Sequence, residues 1–201
     1  MEIIEVRTGI TLIFALAVAW FFLHKYAANP VKELLLKAAQ NDPESQYQMG
    51  LLYYTGKRGT EKNYKQALAW FDTAAQNGHV KAQIALAGLY NAGVGIPKNE
   101  RMAFEWYQRA AKSGDLEARI NLAVCYLEGL GTEKNETKGF EIMKAAAEDK
   151  SPLACTLLAR LYENGQGTTP DTTLATRYYI LAAKQGEPFA KKRLEEKPYK
   201  K

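Results

Sequence analysis

The sequence predicts an all-α protein, a solenoid of helix-turn-helix repeats preceded by one transmembrane helix. Three observations carry that prediction. Residue types recur along the chain at a fixed step of 36. Within each step, apolar residues fall at helical spacing and stop at glycine. Ahead of the repeats lies one apolar stretch, residues 8–24, with no charge fixed at neutral pH.

The leading stretch comes first in the chain. Its 17 residues make a helix of roughly 25 Å, the low end for a bilayer crossing, and Arg7 and Lys25 can extend outward to the headgroups. Trp20, Phe21, Phe22 and Tyr26 gather at one end, as an interfacial aromatic belt does. A cleaved signal peptide fits less well. Its leading region is basic, whereas here Glu2 and Glu5 outweigh Arg7. Cleavage after Ala17-Val18-Ala19 would leave a Trp20-Phe-Phe-Leu start. With no cysteine nearby, lipid attachment through one is excluded. Lys25, Lys32 and Lys37 follow the stretch and only Arg7 precedes it, so the charge count leans towards a cytoplasmic body. The terminal amine narrows that count, and large domains translocate despite it, so a periplasmic body is the alternative.

A capping helix is expected next, over 30–40, because Asn29-Pro30 suits a helix start. The repeats follow. Gly93, Gly129 and Gly165 are 36 apart, as are Tyr90, Tyr126 and Tyr162. The pairs Ala38-Ala39, Ala74-Ala75, Ala110-Ala111, Ala146-Ala147 and Ala182-Ala183 keep the same step. Asn63, Asn99, Asn135 and Asp171 keep it too, and each can cap a helix start. From Tyr53 to Tyr90 the step is 37, because Gly56-Lys-Arg-Gly59 holds one residue more than Gly93-Val-Gly95. In one unit, Ala82, Leu86, Leu89 and Tyr90 form a first buried stripe. Ala103, Trp106, Tyr107, Ala110 and Ala111 form a second. Units of this kind bury their faces against their neighbours.

Composition narrows the function. The chain of 201 residues carries a net charge of +5, and +4 of this sits in residues 191–201. Residues 1–30 balance to zero, leaving about +1 on the body. A body without a basic stripe is not a nucleic-acid binder. The basic tail is expected to be a solvated helix end. Two cysteines and two histidines exclude both a disulfide scaffold and a four-ligand zinc site, and no metal or cofactor is expected. His24 lies in the anchor flank and His79 follows Gly78 in a turn, neither with a catalytic partner at a suggestive spacing. Glu195-Glu196 is an exposed pair by pattern. The glycine pairs end helices rather than opening a strand-helix phosphate loop. No catalytic residue is identified, and the protein is expected not to be an enzyme.

The motif A-x-x-x-L-G/A-x-x-Y-x-x-G-x-G, followed by N/D-x-x-x-A-x-x-W-Y-x-x-A-A-x-x-G, resembles the Sel-1-like repeat, a relative of the tetratricopeptide repeat. The resemblance implies a right-handed α-solenoid. It divides the chain into a tail and anchor over 1–28, a capping helix over 29–44, and repeats over 45–81, 82–117, 118–153 and 154–188. A C-terminal capping helix and basic tail over 189–201 complete it, with Pro198 ending that helix. The third unit departs from the pattern. Gly139 replaces alanine, Ile142-Met143 replace Trp-Tyr, and Lys150 replaces the closing glycine. A glycine inside a helix costs about 1 kcal/mol against alanine, so this unit is expected to be softer, more sharply curved, or packed against something extra. Cys125 takes a core leucine slot. Sequence leaves a bridge from it to Cys155 open.

Solenoids act by presenting a surface. At about 100° per residue, the third, seventh and tenth motif positions point away from the first helix's core stripe, and tetratricopeptide relatives line their concave groove with the equivalents. These positions are Tyr47, Leu51 and Tyr54; Ile84, Gly88 and Asn91; Ile120, Val124 and Leu127; and Thr156, Arg160 and Glu163. The first three sets are apolar apart from Asn91. The expected partner-binding residues are therefore Tyr47, Leu51, Tyr54, Ile84, Asn91, Ile120, Val124 and Leu127. The competing reading is that neighbouring helices already cover this stripe. The expected function is a membrane-anchored protein–protein interaction scaffold or accessory subunit of a bacterial membrane or envelope complex, in the inner membrane. Its partners would be membrane or envelope proteins, with the membrane itself contacted through residues 8–24. A small-ligand or glycan-processing envelope protein and a transient signalling adaptor are the alternatives.

Overall fold

Each internal helix is bounded by chemistry readable in the chain. The computed structural model describes residues 30–196, which form ten helices and no strand. The capping helix is α1 (Pro30–Ala39). The first helices of the four units are α2 (Pro43–Thr55), α4 (Val80–Ala92), α6 (Leu116–Glu128) and α8 (Pro152–Asn164). The second helices are α3 (Tyr64–Gln76), α5 (Glu100–Ala111), α7 (Glu136–Ala147) and α9 (Thr172–Lys184), and α10 (Pro188–Glu196) closes the stack. The membrane-anchor prediction and the basic tail beyond residue 196 lie outside the described residues. Among those described, no helix is long and apolar enough to cross a membrane.

The second helices start as expected, with Asn63, Asn99, Asn135 and Asp171 each accepting the backbone N–H three residues on. The first helices use a second periodic set, Asp42, His79, Asp115 and Ser151, in the same way. Each first helix ends on a glycine in the left-handed region, Gly56, Gly93, Gly129 or Gly165, with φ between 66° and 75°. The second glycine of each pair has another task. A Cβ on Gly95, Gly131 or Gly167 would run into the start of the preceding unit's second helix, at Tyr64, Glu100 or Glu136. A Cβ on Gly59 would meet nothing within 4 Å among the described residues.

Each helix packs against its successor, and the apolar core runs from Met49 and Leu52 to Tyr179 and Ala190. Gly139 leaves no gap between the helices. Gly139 is buried where α7 approaches α6, and a Cβ there would lie 2.6 Å from Leu127 Cγ and 2.9 Å from the Ala123 carbonyl oxygen. Met143 and Phe140 beside it are buried. The missing methyl is thus filled by Leu127. Lys150, in the slot of the closing glycine, adopts φ 56° and bears the left-handed strain that Gly78, Gly114 and Gly186 avoid. Cys125 and Cys155 are buried and both thiols are free, so the bridge left open by sequence is not formed.

Candidate functional site

The first helices of successive units stand side by side, and their shared face carries two hollows flanking α6. One, of about 330 Å³, is walled by Leu51 and Tyr54 of α2, by Ile84, Ala85, Gly88 and Ala92 of α4, and by Glu117 and Asn121 of α6. The other, of about 250 Å³, lies between Val124, Leu127 and Glu128 of α6 and Leu157, Arg160 and Asn164 of α8. Gly88 opens the first hollow. The matching positions in the other units hold Leu51, Val124 and Arg160, whereas a Cβ on Gly88 would only touch the Tyr107 hydroxyl at 3.9 Å. Tyr107 forms part of the floor, and burial pushes its phenol up to about 12, so it stays neutral.

The eight residues expected to bind a partner divide into three groups. Ile84, Ile120 and Leu127 are only 7%, 6% and 5% exposed, so their side chains belong mainly to the core. A charge there would test folding rather than binding. Leu51 and Val124 are half-buried walls of the two hollows, and Tyr54 is 40% exposed, its ring edge-on to Tyr64 at 5.6 Å. Asn91 and Tyr47 are half-buried and lie outside both walls. Tyr47 instead stacks on His79 at 4.6 Å. His79 Nδ1 accepts the Ala82 N–H, which leaves its Nε2–H to donate to Glu44 at 2.9 Å. Hydrogen bonds from Gln48 and His79 hold the Glu44 carboxyl below its usual value. His79 is therefore a helix cap.

In the fourth unit the same positions are tied up by polar contacts. Thr156 faces the Glu187 carboxylate at 3.4 Å, Arg160 lies over the Phe189 ring, and Glu163 accepts from Tyr179 and Arg193. The pattern missed Ala85, Ala92, Asn121 and Leu157, which sit one position beside the chosen register. It also missed a buried brace between units. Gln46 and Gln83 donate to the Ala38 and Ala75 carbonyls, each at 3.1 Å, and the Cys155 thiol points to that of Ala147. Arg119 holds this slot in the third unit, but donates to Ala145 and Asp149 instead. Among the described residues, no cluster of three or more His, Cys, Asp or Glu is placed to hold a metal ion.

The hollows offer apolar seats with amide side chains at their edges: Asn121 by the first, Asn164 and Gln166 by the second. Amides both donate and accept, which suits the unpaired backbone of an extended segment. The Sel1 repeat profile matches residues 43–79, 80–115, 116–151 and 152–187. The chain belongs to the Sel1 repeat family. Its matched repeats begin two residues before Ser45, Ala82, Ala118 and Ala154, because the helices start at Pro43, Val80, Leu116 and Pro152. A Sel1 repeat protein of Oxalobacter formigenes shares 33% identity with a TM-score of 0.73, covering 87% of this chain and 72% of that one. A protective antigen of uropathogenic Escherichia coli with an SLR fold shares 31% identity at TM-score 0.76, over 80% of this chain. The chain spans 34% of that antigen's length. An immunity protein of Pseudomonas aeruginosa, 24% identical at TM-score 0.51 over 74% of this chain and 54% of its own, shares the fold. No curated protein matches this chain. Sel1 repeats generally mediate protein–protein interaction.

Proposed function

We propose that this Sel1 repeat chain is a membrane-anchored scaffold or accessory subunit of a bacterial membrane or envelope complex. In this reading a segment of a partner protein crosses α6 and seats one apolar side chain in each hollow. One observation carries it: two open, mainly apolar hollows flank α6 on the shared face of the first helices. Exposed concave apolar surface of this kind is stabilised when a partner covers it. The anchor rests on the uncharged stretch 8–24, and the surplus of Lys25, Lys32 and Lys37 over Arg7 favours a body on the cytoplasmic side of the inner membrane. The two apolar hollows, rather than any acid–base or nucleophilic constellation among the described residues, are what this reading builds on.

The test is a pull-down of full-length tagged protein in mild detergent, with partners identified by mass spectrometry, set beside Tyr54→Ala and Val124→Ser. A stoichiometric membrane or envelope protein held by the native chain and released by both variants, at unchanged helicity, supports the proposal. Retention of the same partner by both variants overturns the groove assignment. A volume of about 330 Å³ also lies at the low end for small-molecule sites. A protein that purifies alone, and whose melting temperature rises with a small envelope metabolite, would favour the small-ligand reading.

A further inference from the structure

The end helix of a solenoid normally turns a polar face outward, since nothing stacks beyond it. α1 does not. Its inner side packs Val31, Leu34 and Ala38 onto Met49, Leu52 and Trp70. Its outer side carries Lys32, Leu35, Leu36 and Ala39 at helical spacing, all exposed. Leu36 at 56% and Leu35 at 44% are both among the large apolar side chains left open to solvent. Lys37 beside them pairs with Glu33 at 2.9 Å, which leaves Lys32 as the cation on the apolar face.

Resting on the membrane-anchor reading above, we propose that α1 lies on the lipid headgroup surface, with Leu35 and Leu36 dipping into it and Lys32 meeting anionic phosphates. The length of chain leading into α1 identifies this occupant. Five residues, 25–29, separate the apolar stretch from Pro30, and five residues reach at most about 17 Å. The headgroup layer takes up roughly 5–8 Å of that. The start of α1 is thus held within about one helix diameter of the lipid surface. An apolar outer face with a lysine among its leucines is the composition of a helix lying in that interface. The solenoid then stands on the membrane by its N-terminal end, with the hollows of α2 to α8 above it.

The test uses full-length protein in vesicles of phosphatidylethanolamine and phosphatidylglycerol, labelled with an environment-sensitive fluorophore at Leu36→Cys, Leu16→Cys or Lys184→Cys. Cys125 and Cys155 are buried and stay unlabelled in the folded chain. The proposal requires the label at 36 to be quenched by a headgroup-level lipid quencher and shielded from iodide several-fold relative to the label at 184. The label at 16 should be quenched by a deep-chain lipid quencher. If 16 is quenched from the lipid but 36 is as open to iodide as 184, the anchor stands and the docking of α1 is overturned. Shielding of 36 from both iodide and lipid quencher would mean that protein covers α1, a second copy or a partner, and also overturns it. Absence of lipid quenching at 16 removes the anchor reading and the proposal with it.

Discussion

Replacing Gly139 by alanine separates two accounts of the third unit. Inside an unobstructed helix the change is stabilising by about 1 kcal/mol, because glycine forfeits more backbone entropy on folding. At Gly139 the new methyl would stand 2.6 Å from Leu127 Cγ and 2.9 Å from the Ala123 carbonyl oxygen. Overpacking of this kind costs about 1–3 kcal/mol. The expected net effect is a loss of up to about 2 kcal/mol, or a few degrees in Tm for a chain of this size. Thermal unfolding followed by helical circular dichroism of the full-length protein measures it. The same substitution in a Leu127→Ala background should be markedly less harmful, because the larger part of the obstruction has gone; the two backgrounds should differ by about 1 kcal/mol or more. A rise in Tm on Gly139→Ala in the native background would refute the reasoning, and the glycine would then be a defect.

Other predictions concern caps, strain and thiols. Lys150→Gly should raise stability by about 0.5–1 kcal/mol, since it relieves a left-handed non-glycine residue without touching the backbone hydrogen bonds to Ala147 and Gln185; an unchanged or lowered Tm would contradict this. Asp115→Ala should cost about 1 kcal/mol through the lost Ala118 cap. Burial works to raise the Asp115 carboxyl, but the Ala118 N–H and the Lys81 ammonium outweigh it and hold it below its ordinary value. Its charge-linked stabilisation is therefore complete above the unfolded value of about 3.9 and disappears as pH falls through the lower folded value. Asp115→Asn should flatten that acid limb, and an acid melting profile identical to the native one would count against the assignment. Burial, with Glu100 adding to it, pushes the Cys125 thiol up to about 11. Alkylation near pH 8 should then proceed only as the chain unfolds, and rapid labelling of the native protein would contradict this.

Much of the fold was legible because its determinants are periodic. Asn63, Asn99, Asn135 and Asp171 cap the second helices as their spacing implied, and the paired glycines mark the loops. What escaped depends on neighbours rather than on period. Leu127 sits at a groove position by helical angle and edges the second hollow, yet most of its side chain is buried against Gly139 across the interface. Ile84 and Ile120 are covered by adjoining helices whose closeness no single helix encodes. The brace of Gln46, Gln83 and Cys155 went unseen because its members differ chemically while sharing one geometric task. Leu51, Tyr54 and Val124 line the hollows with more of their side chains open than Ile84 and Leu127, and their angle on the helix is enough to place them there.

The groove is tested most directly by filling it. Gly88 lies on an ordinary stretch of α4, where a Cβ would have only the Tyr107 hydroxyl near it, at 3.9 Å, and leucine occupies the matching position 51 in the first unit. Gly88→Leu should therefore fold with a Tm equal to or above that of the native chain while occupying much of the hollow of about 330 Å³. Partner recovery from full-length protein in mild detergent is the measurement, native chain against Gly88→Leu. The account predicts loss of the stoichiometric partner at preserved stability. Full recovery of that partner by the filled variant would place the interaction elsewhere on the solenoid.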